Sequence, residues 1–270
     1  DDQLRLQQVR DLLGGQGWFD LHQYRIDAAG GGVLMHWSRL VDAPIAAVIL
    51  AFRPFLGTAG AELAALILVP ALTLFAIVAV VAWIGSGVLP TKGARGFALL
   101  ALGFAAPVLI QVQPLRIDHH GWQIALAVVA MASFVDRDQR RGGWIAGAAL
   151  ATWMAISFEG LPMSAWFVAT TALMALWQPV FRPRLTATVH ALAAVSAGLY
   201  LATRGFSDLA VHCDVIAPVH LAIFAWGAFA VTSATKFKPG SRPWLIGGLA
   251  VGGAGALAIV AIAAPQCTTG

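Results

Sequence analysis

Long apolar runs separated by short polar turns recur from residue 62 almost to the end of this chain. They fall at 62–87, 94–112, 121–135, 143–158, 161–179, 186–203, 216–234 and 243–264. A helix crossing a hydrocarbon core about 30 Å thick needs roughly 17 to 25 mainly apolar residues. Most of the runs meet that length; the third is short, and only Glu159-Gly160-Leu161-Pro162 separates the fourth from the fifth. The spacing predicts an all-α, polytopic transmembrane helix bundle of about eight spans over residues 61–270.

Residues 1–60 read differently. They mix polar and apolar positions and carry five Arg and six Asp. Leu4, Val9, Leu12 and Leu13 recur at helical spacing, and Gly14-Gly15 stops them. An aromatic, polar stretch (Trp18 to Tyr24) and a flexible turn (Ala28 to Gly32) follow, then Pro44 to Phe52, which is too short and too amphipathic for a span. This segment is expected to be a long first extracytoplasmic loop with two or three helices, some at the membrane interface.

Composition supports the membrane reading. The chain is 59% hydrophobic and 11% charged, with mean hydropathy +0.77; soluble domains carry about 25% charged residues. A net charge of +4 would suggest nucleic acid in a soluble protein, but no nucleic-acid partner is expected, because ten of the seventeen basic residues crowd into four short loops. Those hold Lys92 and Arg95; Arg137, Arg140 and Arg141; Arg182 and Arg184; and Lys236, Lys238 and Arg242. The alternate short loops hold only Arg116 and Arg204, so the positive-inside rule places the first set in the cytoplasm and the second outside. The absence of an initial Met and the stop just after a span give the expectation of a fragment, with one span missing upstream and an unknown length downstream. Cys213 and Cys267 both fall on the expected outer side, where a disulfide is permitted but not dictated by spacing.

The residues capable of chemistry gather on that outer side. Asp118-His119-His120 stands before the third span, and Asp-x-His offers a carboxylate oxygen and an imidazole nitrogen to Mn²⁺ or Mg²⁺. Asp1 and Asp2 precede an amphipathic helix and serve equally as cap and dipole partners or as further ligands. Glu159 is either a third acidic contributor or a surface group. His212 and Asp214 lack the companions of a zinc site. Arg116 and Arg204, the basic residues that the charge bias disfavours, are candidate phosphate clamps.

Asp1-Asp2-x-x-Arg5, running through Val9-Arg10-Asp11-Leu12-Leu13-x-Gly15, resembles the first loop of GT-C membrane glycosyltransferases. Arg116-Ile117-Asp118-His119-His120 resembles the second loop of the oligosaccharyltransferase catalytic subunits of archaea and bacteria. The resemblance implies a divalent-metal-dependent enzyme of the bacterial or archaeal plasma membrane, with its active site facing the periplasm or outside. It would transfer a sugar or oligosaccharide from a polyprenyl-phosphate or pyrophosphate donor. It implies metal ligation by Asp2 (or Asp1), Asp118 and His120, catalytic roles for Asp1, Asp2 and Asp118, and phosphate contacts from Arg116 or Arg204. The acceptor stays open, since no Trp-Trp-Asp motif occurs. The alternative is a polyprenyl-lipid flippase or a small-solute transporter; the scarcity of charge inside the spans stands against transport, and a groove-type flippase stays open.

Overall fold

A computed structural model describes residues 1–206 and 208–268, and nearly every element in it is helical. The chain forms two compact units, residues 1–128 and 129–270.

The first unit opens with α1 (Asp2–Leu13), which carries Asp2 in its first turn and Arg10 in its last, both favourable to the helix dipole. A two-residue antiparallel pair follows, β1 (His22–Gln23) with β2 (Val33–Leu34). Next comes α2 (Arg39–Val88), capped by Ser38, whose hydroxyl accepts from Leu40 N–H. Its path breaks at Gly57, where φ 67° and ψ −179° lie in a region open essentially to glycine alone. The stretch 44–52, too short for a span by itself, is thus a helical arm leading into the first span. The longer arm beyond Gly57 outruns a hydrocarbon core about 30 Å thick.

The run 94–112 is not one helix. It divides into α3 (Lys92–Leu102) and α4 (Ala106–Gln111), with Gly103 at the first end and Pro107 opening the second. Proline disfavours helical backbone in the residue before it and cannot donate back to the preceding turn. α5 (His120–Ser133) then begins directly at the His pair and has only 14 residues.

The second unit holds α6 (Gln139–Ile156), α7 (Leu161–Trp177), α8 (Arg182–Thr203), α9 (Pro218–Phe237) and α10 (Arg242–Ala263). Its basic turns meet at one end: Arg184 Nε donates to Gln139 Oε1 (2.8 Å), Arg182 Nη2 to the Gly240 carbonyl (2.9 Å), and Arg242 Nη2 to the Trp177 carbonyl (3.0 Å). The other turns meet at the opposite end, where Phe158 packs on His220 and Cys213 is disulfide-bonded to Cys267. The alternation read from the charges therefore holds within this unit, and the disulfide that spacing left open is formed.

Among the described residues, five helical segments are long and apolar enough to cross a membrane: Arg39–Val88, Phe158–Trp177, Pro179–Thr203, Pro218–Phe237 and Arg242–Ala263. This falls short of the expected count of about eight. The second run is broken, α5 is short, and α6 opens on Gln139-Arg140-Arg141-Gly142-Gly143, which lowers its hydropathy. Large side chains such as Phe75, Phe229 and Leu257 are exposed on these helices, as befits surfaces that meet lipid tails.

The tightest helix pairing in the second unit joins α6 to α8, and glycine makes it. A Cβ on Gly143 would stand 2.4 Å from the Arg184 carbonyl oxygen, and one on Gly147 would stand 2.2 Å from that of Thr188. Two glycines four apart on one helix let backbones approach closely where lipid offers no hydrophobic drive for association. Gly147→Val is expected to lower stability by about 1–3 kcal/mol, the usual cost of overpacking. Gly253→Val, on open helix surface, is expected to be neutral; thermal denaturation in detergent compares the two.

Candidate functional site

The site is built in the first unit from three pieces of chain: the start of α1, residues 112–119, and the first turn of α5. Proline creates the first anchor. Pro70 has no N–H, so the Leu66 carbonyl four residues earlier in α2 loses its usual helical partner. Leu115 N–H takes that carbonyl at 2.8 Å. Leu115 stands at φ 76°, a left-handed conformation uncommon outside glycine, and Arg116-Ile117-Asp118 follows at once.

Asp2 supplies the second anchor. Its Oδ1 accepts from Ile117 N–H (2.8 Å) and Asp118 N–H (3.1 Å), and its Oδ2 accepts from Arg116 Nη1 (3.1 Å). One carboxylate thus fixes three consecutive residues more than a hundred positions away. Arg116 Nη2 reaches Gln111 Oε1 (2.8 Å) and lies 2.9 Å from Asp118 Oδ2.

Asp118 is almost fully buried. Its Oδ1 accepts from the His120 backbone N–H (3.1 Å), which holds the start of α5, and its Oδ2 lies 3.1 Å from His120 Nδ1. His120 is stacked on His119 with ring centroids 4.4 Å apart, and His119 leans on Trp37 at 6.2 Å. The outcome is a cluster in which ligand atoms of Asp1, Asp118 and His120 all lie within 4.8 Å of one another.

Sequence reasoning gave the first-loop share of this cluster to Asp2 or Asp1. The geometry brings in Asp1, whose carboxylate lies within 4.8 Å of the Asp118 and His120 ligand atoms, and gives both oxygens of Asp2 to the second loop. Arg116, expected to grip a phosphate, is held between Asp2 and Asp118. Arg204 lies in the second unit, buried and ion-paired with Asp208, whose other oxygen faces His212 Nε2 at 2.7 Å. His212 therefore has a carboxylate partner, Asp214 is exposed, and Glu159 sits exposed in the turn before α7.

The cluster fits a divalent cation. Two carboxylates and an imidazole suit Mn²⁺ or Mg²⁺, and direct bonds of about 2.0–2.6 Å place neighbouring ligand atoms roughly 3–4.5 Å apart. The carboxylates of Asp2 and Asp118 are paired with Arg116, and Asp118 also feels the buried Arg5 guanidinium.

Beneath this lies a feature that the sequence did not announce. Arg5, wholly buried, donates to Asp42 Oδ1 (2.9 Å) and lies over the Trp37 ring at 4.5 Å. Arg39, equally buried, donates to Asp42 Oδ2 (3.1 Å) and to the carbonyl of Trp18 (3.1 Å). Burial pushes the Arg5 guanidinium below its ordinary value, and Asp42 opposes that shift. The triad pins α1, and with it Asp1 and Asp2, to the entry of α2. Nearer the surface, Arg10 grips Glu62 with two bonds of 2.8 and 2.6 Å.

No family model matches the chain, and no curated protein sequence matches it. Its structure does match solved structures of the Archaeoglobus fulgidus oligosaccharyltransferase. The apo form aligns with TM-score 0.63 and 19% identity over 86% of this chain and 29% of that one. The complex with Zn and sulfate aligns with TM-score 0.63 and 18% identity over 98% and 35%. The oligosaccharyltransferase AglB with an inhibitory peptide and a dolichol-phosphate aligns with TM-score 0.65 and 17% identity over 91% and 31%. The chain spans about a third of the length of the proteins it matches. At these identities the likeness is one of fold, and at that level the resemblance carried by the two loops holds.

Asp42→Asn removes the charge shared by two buried guanidinium groups, and breaking a buried pair this way costs about 3–5 kcal/mol. Hydrogen exchange is expected to rise across residues 1–13. Asp27→Asn, in an exposed turn, is expected to leave exchange there unchanged.

Proposed function

We propose that this chain carries the metal-binding face of a membrane glycosyltransferase that takes a sugar or oligosaccharide from a polyprenyl-phosphate or pyrophosphate donor at the outer membrane boundary. The observation that carries the reading is the convergence of Asp1, Asp118 and His120 donor atoms within 4.8 Å. The fold shared with the oligosaccharyltransferase structures, one of which holds a dolichol-phosphate, supports the donor class.

Asp1, Asp118 and His120 would hold Mn²⁺ or Mg²⁺. When bound, the ion supplies positive charge where the donor's phosphate gathers negative charge as it leaves. Asp118 is a fixed ligand: it is buried, and the Arg116 guanidinium and the His120 amide hold its two oxygens. Asp1 is exposed and can orient the acceptor or take its proton. Asp2 and Arg116 are positioning residues, because their bonds go to the backbone and carboxylate of the second loop. Such outer partners typically change metal affinity by about 10–100-fold when removed.

Sugar release from a polyprenyl-linked donor, followed in membranes, is expected to cease with EDTA and return with Mn²⁺ or Mg²⁺. Asp118→Ala is expected to abolish it. Arg116→Gln is expected to retain activity at saturating metal but to require about 10–100-fold more of it. Unaltered transfer by the Asp118→Ala protein would overturn the reading.

A further inference from the structure

At the end of the second unit where the basic turns meet, a cavity of about 470 Å³ opens between the start of α6, the start of α8 and the turn joining α9 to α10. Arg140, Arg182 and His190 line it, with Trp144 and Pro179 as apolar wall. No Asp or Glu lies among its lining residues. The nearby acids are otherwise engaged: Asp136 bonds Arg141 twice, at 2.6 and 2.9 Å, and Asp138 caps α6 through the Arg140 and Arg141 amides.

The two arginines that open α8 have different surroundings. Arg184 turns inward to Gln139 and to the carbonyls of Ser133 and Asp136. Arg182 is only 6% exposed, lines the cavity, and gives one bond, to the Gly240 carbonyl, while its Nε has no partner. A guanidinium buried in that way needs an anion to complete it. Across the cavity Arg140 is exposed, so a bound group would meet two guanidinium groups, the geometry best suited to phosphate oxygens.

The walls identify the source of that phosphate. Trp144 is 48% exposed beside the cavity, and His190, about two turns beyond Arg182 on α8, bonds Thr232 at 2.8 Å. The cavity therefore runs from a charged mouth along spanning helices whose outer faces meet lipid. A free ion would use only the mouth; a phospholipid would also place its glycerol against the tryptophan and its chains along the helices. We propose that this cavity binds the headgroup of an anionic phospholipid in the leaflet on the basic side, with its phosphate between Arg140 and Arg182. Basic pockets between spanning helices on that side are the sites such headgroups occupy.

The test is a thermal-shift titration of the purified chain in neutral detergent with three probes: dioctanoyl phosphatidylglycerol, dioctanoyl phosphatidylcholine and inorganic phosphate. Phosphatidylglycerol is expected to bind well and phosphatidylcholine poorly. Arg140→Gln is expected to weaken phosphatidylglycerol about fivefold, and the double variant with Arg182→Gln about thirtyfold. Arg137→Gln, outside the cavity, is expected to be neutral. Where Arg182→Gln fails to fold, Arg140→Glu decides: a loss of phosphatidylglycerol binding supports the site, and wild-type binding overturns it. Equal binding of the two lipids would overturn the anionic preference. Inorganic phosphate binding with the same arginine dependence but no gain from the lipid would overturn the phospholipid in favour of a free anion.

Discussion

The first unit depends on one carboxylate. Asp2 accepts from two consecutive backbone amides and a guanidinium of the second loop, and through them it sets where Asp118 and His120 stand relative to the chain's opening residues. Hydrogen bonds to an ionised acceptor are roughly twice as strong as neutral ones. Beside a membrane the amides of Ile117 and Asp118 have little water to turn to. The same three bonds take up both oxygens of Asp2, while the carboxylate of Asp1 lies with Asp118 and His120. One acid of the pair is bound by the second loop and the other stays exposed.

Two further constraints keep that carboxylate on target. From one side, Pro70 withholds an N–H, and the freed Leu66 carbonyl captures Leu115 immediately before Arg116. From the other, Asp42 holds Arg5 and Arg39 in a dry environment where any of the three alone would be costly. Helix α1 and the second loop are therefore each fixed to α2 before they are fixed to each other. The left-handed Leu115 stands at the junction.

Much of this could be read from the sequence, for reasons that differ by feature. Apolar runs and the sorting of Lys and Arg gave the helical membrane character, and every run corresponds to helix. The break in 94–112 was written in Gly103 and Pro107, but hydropathy averaged over a window hides two residues. Asp118 and His120 were legible because an Asp-x-His at the mouth of a span has few bland explanations. Which of Asp1 and Asp2 bonds the second loop was not, since neighbouring helical residues point about 100° apart and only the partner loop decides between them. Arg5 with Asp42 was invisible for a different reason. Residues 37 apart pair through the fold alone, and a buried arginine looks in sequence like any solvated one.

Arg116, Arg182, Arg184 and Arg204 illustrate the same point from the other direction. Charge bias marked Arg116 and Arg204 as unusual and passed over Arg182 as an ordinary topological signal. In the structure, Arg116 and Arg204 are both held by carboxylates, and Arg184 is held by carbonyls and an amide. Arg116 and Arg182 each keep a buried Nε without a partner, but of these four only Arg182 lines a cavity whose lining holds no acid. A rare arginine on the acidic side meets acids, which consume it. On the basic side the acids are taken elsewhere, Asp136 by Arg141 and Asp138 by the start of α6, and Arg182 is left with a single carbonyl. What decides whether an arginine is available to bind is thus the local supply of acceptors, more than how unexpected the residue is in its loop.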